Sequence, residues 1–365
     1  MGSQLISGRR VSRTISAVVI AAAAGVSMLT GCGGPVESSE AVTSSTVTDH
    51  VHAAVESANP AGIMLATHYG LLTSTDAGRS WHTDSGLGYD MVGGLLHAHG
   101  SYVAAMLPAT SATPAASTAT APAVQVSTNG KTWTVAAGIP GGATVTSLVQ
   151  GAGRTVWAAV LGSGIFRSDD EGRHWAVAVP AKVPITTLAV VGDNLVLATD
   201  SGILVTGTSS PSMPALPQLA ATVDDLEVST QCAGCLVATL AHGGIATSDT
   251  GGVTWTRHPF RVTFESVAAP VEAAGVLIGM SPSPAKSSQG LWRSTDNGVH
   301  WHRVLSAPLI DHLYDVPASG SHGSELLAFQ WGIQVYGSTD GGRSWQRMAQ
   351  AGGVPSGAAM AATPE

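Results

Sequence analysis

Charge is scarce in this chain. Asp, Glu, Lys and Arg make up 11% of the 365 residues, and only three of the basic residues are lysine. Aromatic side chains amount to 5%, and cysteine occurs three times. After residue 46 there is almost no apolar spacing at the helical period and no apolar run long enough to span a bilayer. Each shortage excludes something. Low charge with 44% hydrophobic content excludes general disorder, because so much apolar surface can build a large core. The missing helical period excludes an α-rich fold. The formal charge of −8 argues against nucleic acid and against an anionic membrane surface as direct partners. A single Cys-x-x-Cys, Cys232-Ala-Gly-Cys235, is at most half of a zinc site. Nothing in the sequence calls for a cofactor.

What is present is an eight-residue phrase that returns. It reads Ser74-Thr-Asp76-Ala-Gly78-Arg-Ser80-Trp81, then Ser168 to Trp175, Ser294 to Trp301 and Ser338 to Trp345, with imperfect copies at Ser248 to Trp255 and Ser127 to Trp133. Most copies follow an apolar run opened by Gly, as in Gly70-Leu71-Leu72 and Gly164-Ile165-Phe166. That pattern predicts a strand, a tight turn and a return strand. The Asp accepts backbone N–H bonds in the turn, the Gly takes positive φ, and the Trp packs its ring down. No step of this account needs a ligand, so the phrase reads as scaffold.

The Trp positions advance by 52, 42, 80, 46 and 44 residues. The step of 80 is two periods with one phrase lost. Gly202-Ile203-Leu204 opens the missing copy, and Met213 stands where Trp is expected, between Pro211 and Pro214. Six phrases and one relic make seven repeats of about 40 residues, enough for four short strands each. A second column supports the count: a polar residue two before Val or Leu, at Asp49, Asp90, Thr146, Thr186, Asp224, Glu265 and Asp311. The expected fold is all-β, a seven-bladed β-propeller of four-stranded antiparallel blades over residues 46–350, with a disordered tail at 351–365.

The phrase resembles the Asp-box (BNR) repeat of sialidases, sortilin-type ectodomains, bacterial xyloglucanases and photosystem II assembly factor propellers. That resemblance implies a box that marks propeller blades far from the active site. The region His50-Val-His52, Ala66-Thr67-His68-Tyr69-Gly70-Leu71 and Asp90-Met91-Val92 is also similar to bacterial secreted propellers labelled glycosylhydrolase-like, which implies carbohydrate chemistry.

The N-terminus reads as a processing signal. Arg9, Arg10 and Arg13 precede the apolar stretch Ala17 to Met28, and Leu29-Thr30-Gly31-Cys32 resembles the bacterial lipobox. The implied product has residues 1–31 removed, lipid on Cys32, a flexible tether over 32–45, and an address outside the cytoplasm on the cell membrane. The 16 basic residues lose three with that segment, leaving 13 against 24 acidic ones, a charge of −11. In that compartment Cys232 and Cys235 are most simply a disulfide across a hairpin turn.

If the box turns lie at one end of the ring, the innermost strands start at the other. Asp49, Asp90, Asp224, Glu265 and Asp311 would then ring the channel mouth, with His52 and His68 beside them. Each acid could merely cap its own strand entry. Read functionally, the ring offers a cation or polyol site, and a carboxylate pair could serve glycoside hydrolysis. The histidines offer a metal site. A sialidase needs three arginines converging at the mouth, yet Arg79, Arg173 and Arg343 fall in box turns. The leading reading is a monomeric, membrane-anchored module that binds a protein or a glycan. A glycoside hydrolase and a metal-binding propeller are the alternatives. The low-complexity insertion at 108–122 is read as a tolerated loop on the mouth face.

Overall fold

The computed structural model describes residues 15–16, 51–57, 62–87, 91–107, 121–229, 231–270, 274–283, 285–316, 325–330 and 334–348. Its sheets form seven antiparallel blades, each built from consecutive strands. The blades cover residues 51–84, 92–135, 145–180, 185–207, 223–258, 266–305 and 310–347 and are numbered 1 to 7. Each innermost strand lies beside that of the next blade, and the last, Ile310–Val316, lies beside the first, Val51–Glu56. This is the seven-bladed propeller that the repeat count requires.

Burial falls from the second strand of a blade outward, and the sequence follows it. Second strands such as Ile63–Thr67 and Val156–Val160 are buried along their whole length, so they read as unbroken apolar runs. Outer strands such as His82–Asp84 and Thr134–Val135 are largely exposed and polar or short. The core is a series of clusters between neighbouring blades. One joins Val51, Ile63, Leu65 and Trp81 of blade 1 to Leu327, Phe329 and Val335 of blade 7. Among the described residues no strand is exchanged at that seam. The ring closes by this packing and by a hydrogen bond from the Val51 N–H to Asp311 Oδ2, 3.2 Å long.

The boxes are turns that weld blades together. In blade 1 Asp76 Oδ1 accepts the N–H groups of Arg79 and Ser80 at 3.0 and 2.8 Å, while the Gly78 N–H donates to Ser74 Oγ at 2.8 Å. In every box except the shorter one at Ser127 to Trp133, the residue before the box glycine and the glycine itself both have positive φ, as at Asn297 (56°) and Gly298 (88°). A Cβ on Gly298 would collide with Ile245 of blade 5, so glycine is required twice over: for the backbone and for the close approach. The Trp175 indole N–H then donates to the Gly172 carbonyl at 2.7 Å, fixing the ring in the cluster between blades 2 and 3.

Blade 4 departs from the four-stranded pattern. It has three strands, and the outer place is taken only by a bridge between Ile203 and Leu219. Gln218 covers the edge further, accepting the Val205 N–H with its side-chain oxygen. Met213 packs partly buried in the cluster with Leu204, where the relic placed the lost Trp. Blade 3 has an additional two-residue strand, Ile15–Ser16, along its innermost strand. The expected disulfide is present: Cys232 and Cys235 are joined in the turn between the first two strands of blade 5.

Candidate functional site at the channel mouth

The first strand of a blade carries a register shift at its start on blades 1, 2, 3, 4, 5 and 7. Aligning six blades on these bulges, and blade 6 on Glu265, whose N–H donates to the Met280 carbonyl just before the paired Ser266, gives the column of equivalent positions. It runs His52, Gly93, Thr146, Thr186, Asp224, Glu265 and Asp311. The four later blades and blade 3 carry the residues expected from sequence. On blades 1 and 2 the equivalent residues are His52 and Gly93, each three positions after Asp49 and Asp90. Those two acids lie outside the described residues, as do Cys32, His50 and residues 108–120 of the insertion. Among the described residues this column carries three consecutive carboxylates on blades 5 to 7 and a histidine on blade 1.

The two arms of the column are built differently. On blades 3 and 4 the Thr146 hydroxyl donates to the Ile185 carbonyl at 2.7 Å and the Thr186 hydroxyl to the Ala198 carbonyl at 3.3 Å. Ser147, next to Thr146, accepts the Leu188 N–H of blade 4. These hydroxyls tie strands together. On blade 2 a Cβ at Gly93 would collide with Leu107.

On blades 5 and 6 three carboxyls feel one another. Burial pushes Glu265 up to about 7, with the charges of Asp225 and Asp224 adding to it. Asp224 is also raised, by burial and then by Asp225, while His242 from the facing turn works against the rise. Asp225, which the sequence reading did not single out, is buried, and its Oδ1 accepts the Leu226 N–H at 2.9 Å. Its signal was the Asp224-Asp225 doublet. The bulge of blade 5 holds both acids at one point of the strand.

Blades 7 and 1 complete the column. Asp311 contributes to ring closure through its bond to Val51, so it has a structural role whatever else it does. Desolvation holds the neighbouring His312 down to about 4, which keeps it neutral at pH 7. His52 and His68 are brought together as expected, edge to face, with ring centroids 4.7 Å apart, and Tyr69 follows His68 at 6.4 Å. Among the described residues no group of three or more His, Cys, Asp or Glu side chains is placed to hold a metal ion. The box arginines are engaged at the other end: Arg79 and Arg343 each donate back to the carbonyl of their own box aspartate.

No family model matches this sequence, and no curated protein matches it. Solved structures do. The fold is similar to YCF48 bound to a D1 peptide, with a TM-score of 0.54, 15% identity, and coverage of 79% of this chain and 96% of that one. YCF48 from Cyanidioschyzon merolae superposes with a TM-score of 0.53 at 13% identity, over 77% and 93% of the two chains. A computationally designed protein, Ika8, gives 0.56 at 11% identity, over 84% and 89%. At these identities the likeness establishes the β-propeller and leaves the site to be argued from its own residues.

Proposed function

We propose that this protein is a binding module that takes an extended protein segment or a glycan chain at the acidic side of its channel mouth. One observation carries the reading. Burial and the charges of Asp224 and Asp225 on the adjacent blade raise Glu265, and burial and Asp225 raise Asp224, so the ionised forms of these three acids disfavour one another. A ligand that brings hydrogen-bond donors or positive charge relieves that cost. The peptide-bound YCF48 structure, of the same fold, supports a protein segment as the first class to test. The propeller acts as a monomer outside the cytoplasm of a bacterium, tethered by lipid on Cys32 after loss of residues 1–31. The Cys232–Cys235 disulfide supports an oxidising compartment.

The test is a screen of the full chain against peptide arrays and soluble polysaccharides. A ligand of this site loses affinity about tenfold or more when Asp224→Asn and Glu265→Gln are combined, the scale of one or two charge-assisted hydrogen bonds. It is indifferent to Asp296→Asn in a box. The opposite ranking of the two variants contradicts the proposal. For the anchor, Cys32→Ser moves the protein from the membrane fraction to the soluble one, and unchanged fractionation contradicts it.

A second reading rests on the same residues. A carboxyl pushed up to about 7 beside a buried aspartate is the pairing that glycoside hydrolysis uses, with Glu265 as the protonated acid and Asp225 as the base or nucleophile. Turnover of any polysaccharide in the panel, abolished by Glu265→Gln, would move the protein from binding module to enzyme.

A further inference from the structure

The Cys232–Cys235 turn sits at the end of the ring opposite the mouth and is attached to more than its own hairpin. Cys232 is exposed and Cys235 half-buried. Between them, the Gly234 carbonyl accepts the Gly251 N–H from the box turn of blade 5. The residue just before the bridge, Gln231, reaches across the seam to blade 6. Its side-chain oxygen accepts the Gly275 N–H at 2.8 Å, and its side-chain nitrogen donates to the Val276 carbonyl at 3.2 Å. Gly275 and Val276 lead into the second strand of blade 6, Leu277–Ser281.

The bridge spans only two intervening residues. So short a loop removes little entropy from the unfolded chain, and general stabilisation is a weak reason for it. It closes the turn that presents Gln231, together with the Ser229 N–H bond to the Cys235 carbonyl and the Gln231 N–H bond to Ser229 Oγ. Blades 1 and 7 meet with a buried Trp81 against Phe329. The seam between blades 5 and 6 has its own apolar cluster, including Ile245, Leu277 and Trp301, and among the described residues Gln231 adds side-chain hydrogen bonds to it at this end, next to a disulfide whose Cys232 is exposed.

We infer that Cys232–Cys235 is a redox-responsive clasp on the seam between blades 5 and 6, open to thiol–disulfide exchange with a dithiol reductant while the protein stays folded. A thiolate of the reductant attacks Cys232 Sγ, the S–S bond breaks, and Cys235 leaves as a thiolate that takes up a proton. The second thiol of the reductant then attacks the mixed disulfide, releasing Cys232 and leaving the reductant as its own disulfide. Two electrons pass to the protein. The freed turn no longer holds Gln231 against Gly275, and the seam loosens. This inference stands independently of the ligand proposed for the mouth.

The full chain is treated with dithiothreitol under native conditions, thiols are counted by alkylation and mass spectrometry, and hydrogen exchange is followed by peptide. Reduction should proceed without global unfolding. Exchange should rise about tenfold at Gln231–Cys235 and at Gly275–Leu277, the scale of one lost net hydrogen bond. The seam between blades 2 and 3, where Trp175 and Ala137 bond, serves as the unchanged control. Gln231→Ala keeps the disulfide and should reproduce the rise at Gly275. Three outcomes overturn the inference: a bridge that resists reduction until the chain unfolds, reduction with no change at Gly275–Leu277, or a silent Gln231→Ala.

Discussion

The two ends of this propeller use the same side chain in opposite ways. In the boxes, aspartates are built to be ionised. At Asp170 partial burial opposes ionisation, but the His174 ring and N–H and the Ser168 hydroxyl outweigh it and bring the carboxyl down to about 2. At Asp296 the N–H and ring of His300 do the same, again to about 2. At the mouth, Glu265 and Asp224 are raised by burial and by their neighbours' charge. An acid with its hydrogen bonds supplied by its own turn has nothing left to offer a ligand. An acid kept near others of its kind, in a partly dry place, is disfavoured until something else arrives. Scaffold and candidate site are thus separated by the environment of the carboxylates.

The comparison is tested most severely at the box end. Trp175 is buried with only 6% of its surface exposed, and Trp175→Ala should cost roughly 3–5 kcal/mol of stability, as for other buried aromatic truncations. Chemical denaturation checks the cost. Ligand binding measured on the folded fraction should be unaltered; a folded Trp175→Ala protein that fails to bind would make the box part of the site.

Next in size is the pH dependence of the mouth. Between the ordinary glutamate value of 4.5 and about 7, folded Glu265 holds a proton that the unfolded chain has released. Stability therefore declines as pH rises through that window and levels off above it, by on the order of 2 kcal/mol. Glu265→Gln should flatten this part of the stability profile and leave the protein at least as stable as wild type at pH 8. Box aspartates contribute in the other direction. Their stabilisation is complete above 3.8 and is lost only as pH falls towards about 2. Thermal unfolding of both proteins from pH 3 to 8 separates the two contributions.

A smaller effect is expected from a single box. Asp170→Ala removes the acceptor for the His174 N–H at 2.9 Å and for the Ser168 hydroxyl at 2.8 Å, and should cost roughly 1–2 kcal/mol. Asp224→Asn should change stability least, within about 0.5 kcal/mol or slightly upward, because it removes a like charge from a partly buried cluster. A destabilisation of Asp224→Asn larger than that of Asp170→Ala would reverse the assignment of the two ends.

Much of the fold was legible because its signals are local. A box states its turn in eight residues, and its Trp, Gly and Asp recur at a period that counts blades even where Met213 replaces the Trp. The lost outer strand of blade 4 was foreshadowed by Pro211 and Pro214 beside it. The site was less legible. The sequence column aligned Asp49 and Asp90 with Asp224, but strand register places His52 and Gly93 there. A polar residue ahead of an apolar run does not reveal where a bulge will fall. Asp311 as a latch onto Val51, Gln231 as a bridge to blade 6 and the box glycines as docking points depend on which blades become neighbours. Contacts between residues so distant in sequence leave no periodic mark.

The mouth acids are raised while the box acids are lowered. Carboxyl-carbon NMR titration of the full chain reads both in one experiment, with Glu265→Gln and Asp296→Asn assigning the signals. The expected result is a Glu265 midpoint near 7 and an Asp296 midpoint near 2. A Glu265 signal that titrates near 4.5, in step with exposed glutamates, would show a mouth no different from ordinary surface and would contradict the account.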